Sequence, residues 1–90
     1  YDFATRYGGE EFLIVLPNTT KSEGINVAER IRQVTETTVI LHPDGFPIPG
    51  ITVSIGLAMN DSVSNPVSLI GKADAKLYRA KEQWRNCVMF

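Results

Sequence analysis

The segment from Phe12 to Leu16 constrains the fold of this chain more than any other. It reads FLIVL, five apolar residues rich in strand-forming types, and Pro17 ends it because proline cannot donate to a ladder. A short apolar run with these limits predicts a strand that is buried on both faces. Since such a strand needs a sheet and a covering layer, the chain is expected to build a layered fold.

The residues before this strand predict a β-hairpin with a charged tip. FATRY, residues 3–7, is the partner strand, and Gly8 and Gly9 connect the strands because glycine reaches positive φ without steric cost. Glu10 and Glu11 then lie at or just after the turn. Two hypotheses remain open for this pair: a polar tip with two solvated carboxylates, or oxygen ligands for a divalent cation such as Mg²⁺.

Two later segments have the apolar spacing of amphipathic helices. The first, residues 18–34, begins with a capping box in which Thr20 and Glu23 satisfy two backbone donors. The second, residues 65–83, begins with Asn65 as the N-cap, followed by a proline suited to the first turn. The predicted apolar faces comprise Val27, Ala28, Ile31 and Val34 in the first helix, and Leu69, Ile70, Ala73, Leu77, Ala80 and Trp84 in the second.

Residues 51–58, ITVSIGLA, alternate strictly between large apolar and small side chains, which predicts a strand. Two hypotheses remain open for its small-residue face: a helix crosses closely over it, or a ligand approaches it. Residues 41–50 hold three prolines and two glycines and predict a loop or a wide hairpin, and residues 87–90 predict a further strand. The order predicts an α+β fold with an antiparallel-rich sheet and helices on one face.

The composition excludes several classes of function. Ninety residues allow at most one small domain, and a net charge of −1 disfavours nucleic-acid binding through phosphate neutralisation and binding to a membrane surface through basic residues. One cysteine and one histidine cannot form an internal disulfide or the usual zinc site. No apolar run reaches the length of about 20 residues that a membrane span needs. Because the chain begins at Tyr1 without methionine, we expect it to be part of a longer protein.

Lys81 and Arg85 lie four residues apart near the end of the second helix and share one helical face. A lysine and an arginine together can bind a phosphate chain, the lysine as a point charge and the arginine as a fork. The alternative is ordinary charge complementarity at a helix C-terminus. The residues alone leave both hypotheses open.

Four motifs in this order resemble one known family. RYGGEEF at 6–12, AERIR at 28–32, TVSIGLA at 52–58 and ADAKLYRAK with a following RN at 73–86 are similar to the C-terminal half of the GGDEF domain of diguanylate cyclases, here in its GGEEF form. The resemblance covers nearly the whole chain. It implies that residues 1–90 are the C-terminal portion of a single GGDEF domain.

The resemblance also implies a fold and a reaction. The fold would be like that of nucleotidyl cyclases and polymerase palms, a ferredoxin-like antiparallel sheet with flanking helices. Two such domains, as a homodimer, would each bind one GTP with Mg²⁺ or Mn²⁺ and together form cyclic di-GMP and two pyrophosphates. The turn at Gly8 and Gly9 would let GTP approach the backbone.

Six further residues take roles from the resemblance. Glu10 would be a metal ligand and the base or activator of the attacking hydroxyl, and Glu11 would help to hold the metals. Lys81 and Arg85 would bind the terminal phosphates of GTP. For an inhibitory site that binds the product, Asp2 matches the aspartate of an R-x-x-D motif, and Arg30 either contributes to such a site or is a solvated helix residue.

One departure from the family pattern concerns the end of the second helix. The family's usual G-R-N is Trp84-Arg85-Asn86 here, and tryptophan does not share glycine's access to positive φ. We therefore expect the helix to run on past this point and to re-aim Arg85. Trp84 itself is expected to pack on the apolar stripe.

The sequence thus predicts a cytoplasmic diguanylate cyclase, with a membrane anchor elsewhere in the parent left open. The ninety residues alone are expected to bind GTP weakly and not to turn over, since the family's other metal aspartate and guanine-binding residues lie upstream of the GG motif. The alternative is a catalytically degenerate domain that binds GTP or cyclic di-GMP as a regulatory module. A generic RNA-binding sheet would need paired strand aromatics and a basic surface, and neither is seen.

Overall fold

The computed structural model describes residues 3–48, 50–60 and 65–90. Within these residues the strands form two separate two-stranded sheets, β1 with β2 and β3 with β4. The elements in chain order are β1 (Phe3–Arg6), β2 (Phe12–Val15), α1 (Lys21–Thr37), β3 (Ile55–Gly56), α2 (Pro66–Glu82) and β4 (Val88–Met89). Both predicted helices and the predicted hairpin are confirmed, whereas the strand predicted over 51–58 is shortened to two residues.

Strands β1 and β2 pair antiparallel, with Phe3 opposite Val15 and Arg6 opposite Phe12. The prediction that β2 is buried on both faces is wrong for the described chain, because Phe12 is 72% exposed and Ile14 is 44% exposed. The contacts of this hairpin lie mainly between its own two strands. An apolar run becomes a buried strand only where another layer covers it, and no described helix does so here.

Both helices begin at the side-chain caps that the sequence predicts. The Thr20 hydroxyl accepts from the Glu23 N–H at 3.2 Å, and the Glu23 carboxylate accepts from the Thr20 N–H at 3.1 Å. Hydrogen bonding to Thr20 lowers the pKa of Glu23 below its ordinary value. At the start of α2, Asn65 Oδ1 accepts from the Ser68 N–H at 2.8 Å.

Helix α2 packs against β3 at very short range. A Cβ atom added to Gly56 would lie 2.2 Å from the Ala73 carbonyl oxygen and 2.3 Å from the Leu77 nitrogen. Ala80 on the same helix is fully buried, at 0% exposure. At Gly56, the small-residue face of 51–58 therefore serves the close crossing of a helix, which was one of the two hypotheses left open.

Strands β3 and β4 are parallel, with hydrogen bonds from the Ile55 N–H to the Cys87 carbonyl at 2.9 Å and from the Leu57 N–H to the Met89 carbonyl at 2.8 Å. Parallel neighbours need a crossover connection, and α2 supplies it. This confirms the predicted strand near the C-terminus. The sequence does not predict that this pair is parallel, since its pattern favours an antiparallel-rich sheet.

The proline-rich segment after α1 forms the wide hairpin predicted for it. Leu41 bridges Pro47, and the His42 N–H donates to the Phe46 carbonyl at 2.7 Å. Gly45 has a φ of 88°, a conformation that glycine adopts without strain.

We predict that Gly56→Ala destabilises the protein by about 2 to 3 kcal/mol or more, because a methyl group there would overlap the backbone of α2. The measurement is the free energy of unfolding, from urea denaturation followed by circular dichroism. The matched control is Gly71→Ala in the interior of α2, where an added Cβ would meet no heavy atom within 4 Å. That variant should be neutral or more stable by up to about 1 kcal/mol, since alanine favours helices. Equal stability of the two variants would contradict the packing described for Gly56.

Candidate functional site

The tip of the β1–β2 hairpin is a tight backbone turn over residues 7–11. The Tyr7 N–H donates to the Glu11 carbonyl at 2.9 Å, and the Glu11 N–H donates back to the Gly8 carbonyl at 3.3 Å. Neither Gly8 nor Gly9 has a φ in the left-handed region, so the conformational reason given for these glycines is wrong. What they provide is open space, because a Cβ at either position would meet no heavy atom of the chain within 4 Å.

Arg6 braces this turn from the end of β1. Its Nε donates to the Gly9 carbonyl at 3.0 Å, and its Nη2 bonds to the same oxygen. Sequence reasoning missed this role. The available signal was an arginine two residues before a glycine pair. At this distance, an arginine side chain is long enough to fold back over the turn and bond to its backbone.

The two glutamates of the tip differ in their surroundings. The Glu10 side chain is exposed and makes no hydrogen bond or ion pair with residues 3–48, 50–60 or 65–90. Glu11 is partly covered, and its Oε2 lies 3.4 Å from Lys81 Nζ on α2. The structure therefore brings together two predicted site residues that are 70 positions apart.

Glu11 and Lys81 line an open cleft of about 210 Å³ between the hairpin and α2. The other lining residues are Asp74, Leu77 and Tyr78. Asp74, Tyr78 and Lys81 follow at intervals of four and three residues, which places them on one face of the helix. This spacing was the signal for Asp74 and Tyr78, which the sequence analysis did not single out.

The carboxylates of the hairpin tip suit a hard divalent cation, although they do not form a complete cage. No group of three or more His, Cys, Asp or Glu side chains able to hold a metal occurs among the residues that the structure describes. Mg²⁺ commonly takes one or two protein carboxylates and completes its octahedron with water and substrate phosphates. Glu10 and Glu11 fit that pattern by their chemistry and their place at an accessible tip.

Arg85 lies just beyond the end of α2. The expectation that the helix runs on is wrong, since α2 ends at Glu82 and the next turn is left-handed. The packing predicted for Trp84 is also wrong, because its side chain is 93% exposed. Arg85 is exposed and is not among the residues that line the Glu11–Lys81 cleft.

Of the two residues predicted for product inhibition, the structure describes one. Asp2 lies outside the described residues. Arg30 is an exposed residue of α1.

In the described ranges, neither helix combines the length and the apolar character that crossing a membrane requires.

Comparisons with known proteins all indicate the same family. The family model described as "Diguanylate cyclase, GGDEF domain" matches residues 1–87. The chain is 43% identical over 88 residues to Diguanylate cyclase A of Treponema denticola, covering 97% of this chain and 23% of that protein. It is 41% identical over 87 residues to Diguanylate cyclase DosC of Escherichia coli, covering 97% of this chain and 19% of that protein.

Solved structures agree with the sequence matches. The GGDEF domain of DgcB from Caulobacter crescentus, in complex with c-di-GMP, superposes with a TM-score of 0.93 at 34% identity and covers 98% of this chain and 51% of that one. Diguanylate cyclase SiaD from Pseudomonas aeruginosa, in complex with its activator SiaC, gives a TM-score of 0.90 at 31% identity and covers 100% of this chain and 34% of that one. These likenesses confirm the predicted α+β, palm-like fold in truncated form.

The chain spans only 23% of Diguanylate cyclase A and 51% of the DgcB chain, so these likenesses concern one segment of longer proteins. The family-model match over residues 1–87 includes the hairpin tip, both helices and the turn that follows α2. The chain belongs to the GGDEF domain family of diguanylate cyclases.

Proposed function

We propose that the protein containing this chain is a diguanylate cyclase, which condenses two GTP molecules into cyclic di-GMP and releases two pyrophosphates. The observation that carries the proposal is the meeting of Glu11 and Lys81 at the open GGEEF tip, in a chain of this family. Relatives named diguanylate cyclase and a neighbour solved with c-di-GMP support it. On this proposal, residues 1–90 are the C-terminal portion of one GGDEF domain, and two such domains face each other.

The hairpin tip would bring GTP against its backbone. The space above Gly8 and Gly9 is open, so a phosphate or sugar can approach the peptide atoms without displacing a side chain. Lys81 then neutralises phosphate charge as a point charge. Arg85 adds a forked donor to the terminal phosphates, provided that the turn after α2 aims it there.

In each of two chemical steps, the 3′-oxygen of one GTP attacks the α-phosphorus of the other, and the bond to pyrophosphate breaks with its electron pair leaving on oxygen. Two phosphodiester bonds form in this way, and two pyrophosphates are released. Glu10 takes the proton of the attacking hydroxyl. Its carboxylate is exposed and has no hydrogen bond or ion pair among the residues that the structure describes. Positioning and charge neutralisation dominate catalysis of such displacements.

Glu10 and Glu11 would hold Mg²⁺ or Mn²⁺. When bound, the cation supplies positive charge at the attacking and leaving oxygens. The ion pair with Lys81 holds the Glu11 carboxylate toward the cleft. Adjacent carboxylates, which repel each other in isolation, are then compatible because opposite charges flank them.

A second candidate, a degenerate domain that binds nucleotide without turnover, has one observation in its favour. Trp84 stands where the family usually has glycine, directly before Arg85. The intact GGEEF tip favours the catalytic proposal over it. Measured synthesis of cyclic di-GMP by the purified full-length protein would separate the two.

We predict that Glu10→Gln lowers kcat for cyclic di-GMP synthesis by about 100-fold or more, because the amide cannot accept the hydroxyl proton and is a weaker metal ligand. Product formation by the full-length protein is measured by chromatography. The control is Asp44→Asn, an exposed carboxylate of the proline-rich hairpin with the same change of charge. Activity of Glu10→Gln close to that of Asp44→Asn would refute the role of Glu10.

We predict that Lys81→Met lowers kcat/KM for GTP by about 10- to 100-fold, the value of one charge-assisted phosphate contact. The unfolding free energy should change by less than about 1 kcal/mol, because the partner carboxylate and Lys81 are both partly exposed. Arg79→Met removes a positive charge from an exposed position of the same helix and should leave kcat/KM unchanged. A loss of stability that accounts for the whole loss of activity would argue against a phosphate contact.

For the ninety residues alone, we expect no turnover of GTP, since the described part contributes two carboxylates to the tip and no third metal-binding group. The test incubates the purified chain with GTP and Mg²⁺ at high protein concentration. Detection of cyclic di-GMP would overturn this expectation.

A further inference from the structure

Three consecutive residues after α2 occupy the left-handed backbone region. Their φ angles are 81° for Trp84, 57° for Arg85 and 46° for Asn86. Residues with a Cβ are strained in this region, and it is populated mainly by single residues. A run of three, one of them tryptophan, therefore persists only if surrounding contacts hold it in place.

Part of the restraint comes from backbone groups at the end of α2. The Gln83 N–H donates to the Arg79 carbonyl at 3.0 Å, and the Arg85 N–H donates to the Ala80 carbonyl at 3.1 Å. These are the bonds by which helix ends commonly satisfy their last carbonyls. They fix where the turn begins and leave its far end, at Asn86, to other partners.

The far end is held by an arginine of the other helix. Arg32 Nη1 donates to Asn86 Oδ1 at 3.1 Å, and the Asn86 side-chain amide donates to Glu36. The Asn86 N–H donates to the Ser54 hydroxyl oxygen at 3.1 Å. We call Glu29, Arg32, Glu36 and Asn86 the Arg32 clamp.

Within α1 the Arg32 guanidinium is itself fixed from two sides. Its Nε donates to Glu29 Oε1 at 2.8 Å, and its Nη1 lies 3.6 Å from Glu36 Oε1. The guanidinium side chain is only 16% exposed, although it lies between carboxylates near the surface. Hydrogen bonding to Arg32 lowers the pKa of Glu29 below its ordinary value, as expected for a carboxylate held against a fixed cation.

Contacts between Arg32 and the two glutamates are ordinary pairs three and four residues apart on a helix, and such pairs alone add little. The bonds to Asn86 are different, because they join α1 to a turn 54 residues away. Only a planar fork can serve both glutamates and the amide oxygen of Asn86 at once. That geometry gives Arg32 a role outside its own helix.

We propose that Arg32 is a positioning residue, which holds the left-handed turn through Asn86 and thereby aims Arg85 at the substrate phosphates. The second half rests on the phosphate role of Arg85 in the proposed function, whereas the first half stands on the contacts alone. It follows that the clamp compensates for Trp84. With glycine at position 84, the turn would carry less strain and would need Arg32 less.

The test is a double-mutant cycle in the full-length protein, with the parent, Arg32→Ala, Trp84→Gly and the combined variant. The first readout is amide hydrogen exchange of residues 83–87, by mass spectrometry or NMR. With tryptophan at position 84, Arg32→Ala should raise the exchange rates by about fivefold or more, the size of a typical coupling between contacting residues. With glycine at position 84, the same change should have less than half of that effect.

Arg32→Lys is the matched variant for α1. It keeps the positive charge between the two glutamates and loses the fork that reaches Asn86. On this proposal its turn exchanges nearly as fast as that of Arg32→Ala, while circular dichroism shows an intact helix. Slow amide exchange of the turn in Arg32→Lys would refute the proposed role of Arg32. The proposal would also fail if Arg32→Ala raised the exchange rates equally with tryptophan and with glycine at position 84.

The second readout is the kinetics with GTP. Arg32→Ala should raise KM for GTP more than it lowers kcat, and it should have no further effect when combined with Arg85→Ala. If Arg85→Ala alone leaves KM unchanged, the phosphate role in the proposed function fails, whatever the exchange data show. If Arg85→Ala raises KM and Arg32→Ala does not, the aiming role of Arg32 is refuted.

Discussion

The contact between Gly56 and the backbone of α2 determines where the other parts of this structure can lie. With no side chain at position 56, the helix sits directly on β3, so its axis is fixed relative to the strand. Because the helix is fixed, its C-terminal end presents Lys81 on one side and the left-handed turn on the other. The positions of Lys81 and of the left-handed turn therefore both depend on the absence of a side chain at position 56.

The hairpin that carries the GGEEF motif is joined to this framework more loosely. Its two strands contact mainly each other, and the described tie to α2 is the ion pair between Glu11 and Lys81. A partly exposed ion pair contributes little to stability and is weakened by salt. The tip is therefore oriented by charge, and the same charges serve the proposed binding of nucleotide phosphates.

The parts that sequence reasoning predicted are those that local rules decide. The capping box at Thr20, the Asn65 cap, the helical faces and the hairpin each depend on residues a few positions apart. The errors have a different origin. The sequence predicts a buried β2, but no described layer covers this strand. The prediction for Trp84 considers only the backbone preference of tryptophan, whereas Arg32 of α1 contacts Asn86 in the same turn. No local pattern indicates that Arg32 reaches Asn86, since that bond exists only after β3, α2 and α1 are assembled.

The two contacts that matter most for the site also span long stretches of sequence. Glu11 and Lys81 are 70 residues apart, and Arg32 and Asn86 are 54 residues apart, whereas the β1–β2 hairpin and the helices close within short loops. Closing a long loop costs more entropy than closing a short one, so we expect these contacts to form after the local ones. A chain that has acquired its secondary structure would still lack the site. The Glu11–Lys81 cleft and the clamped turn are therefore expected only once the tertiary structure has assembled.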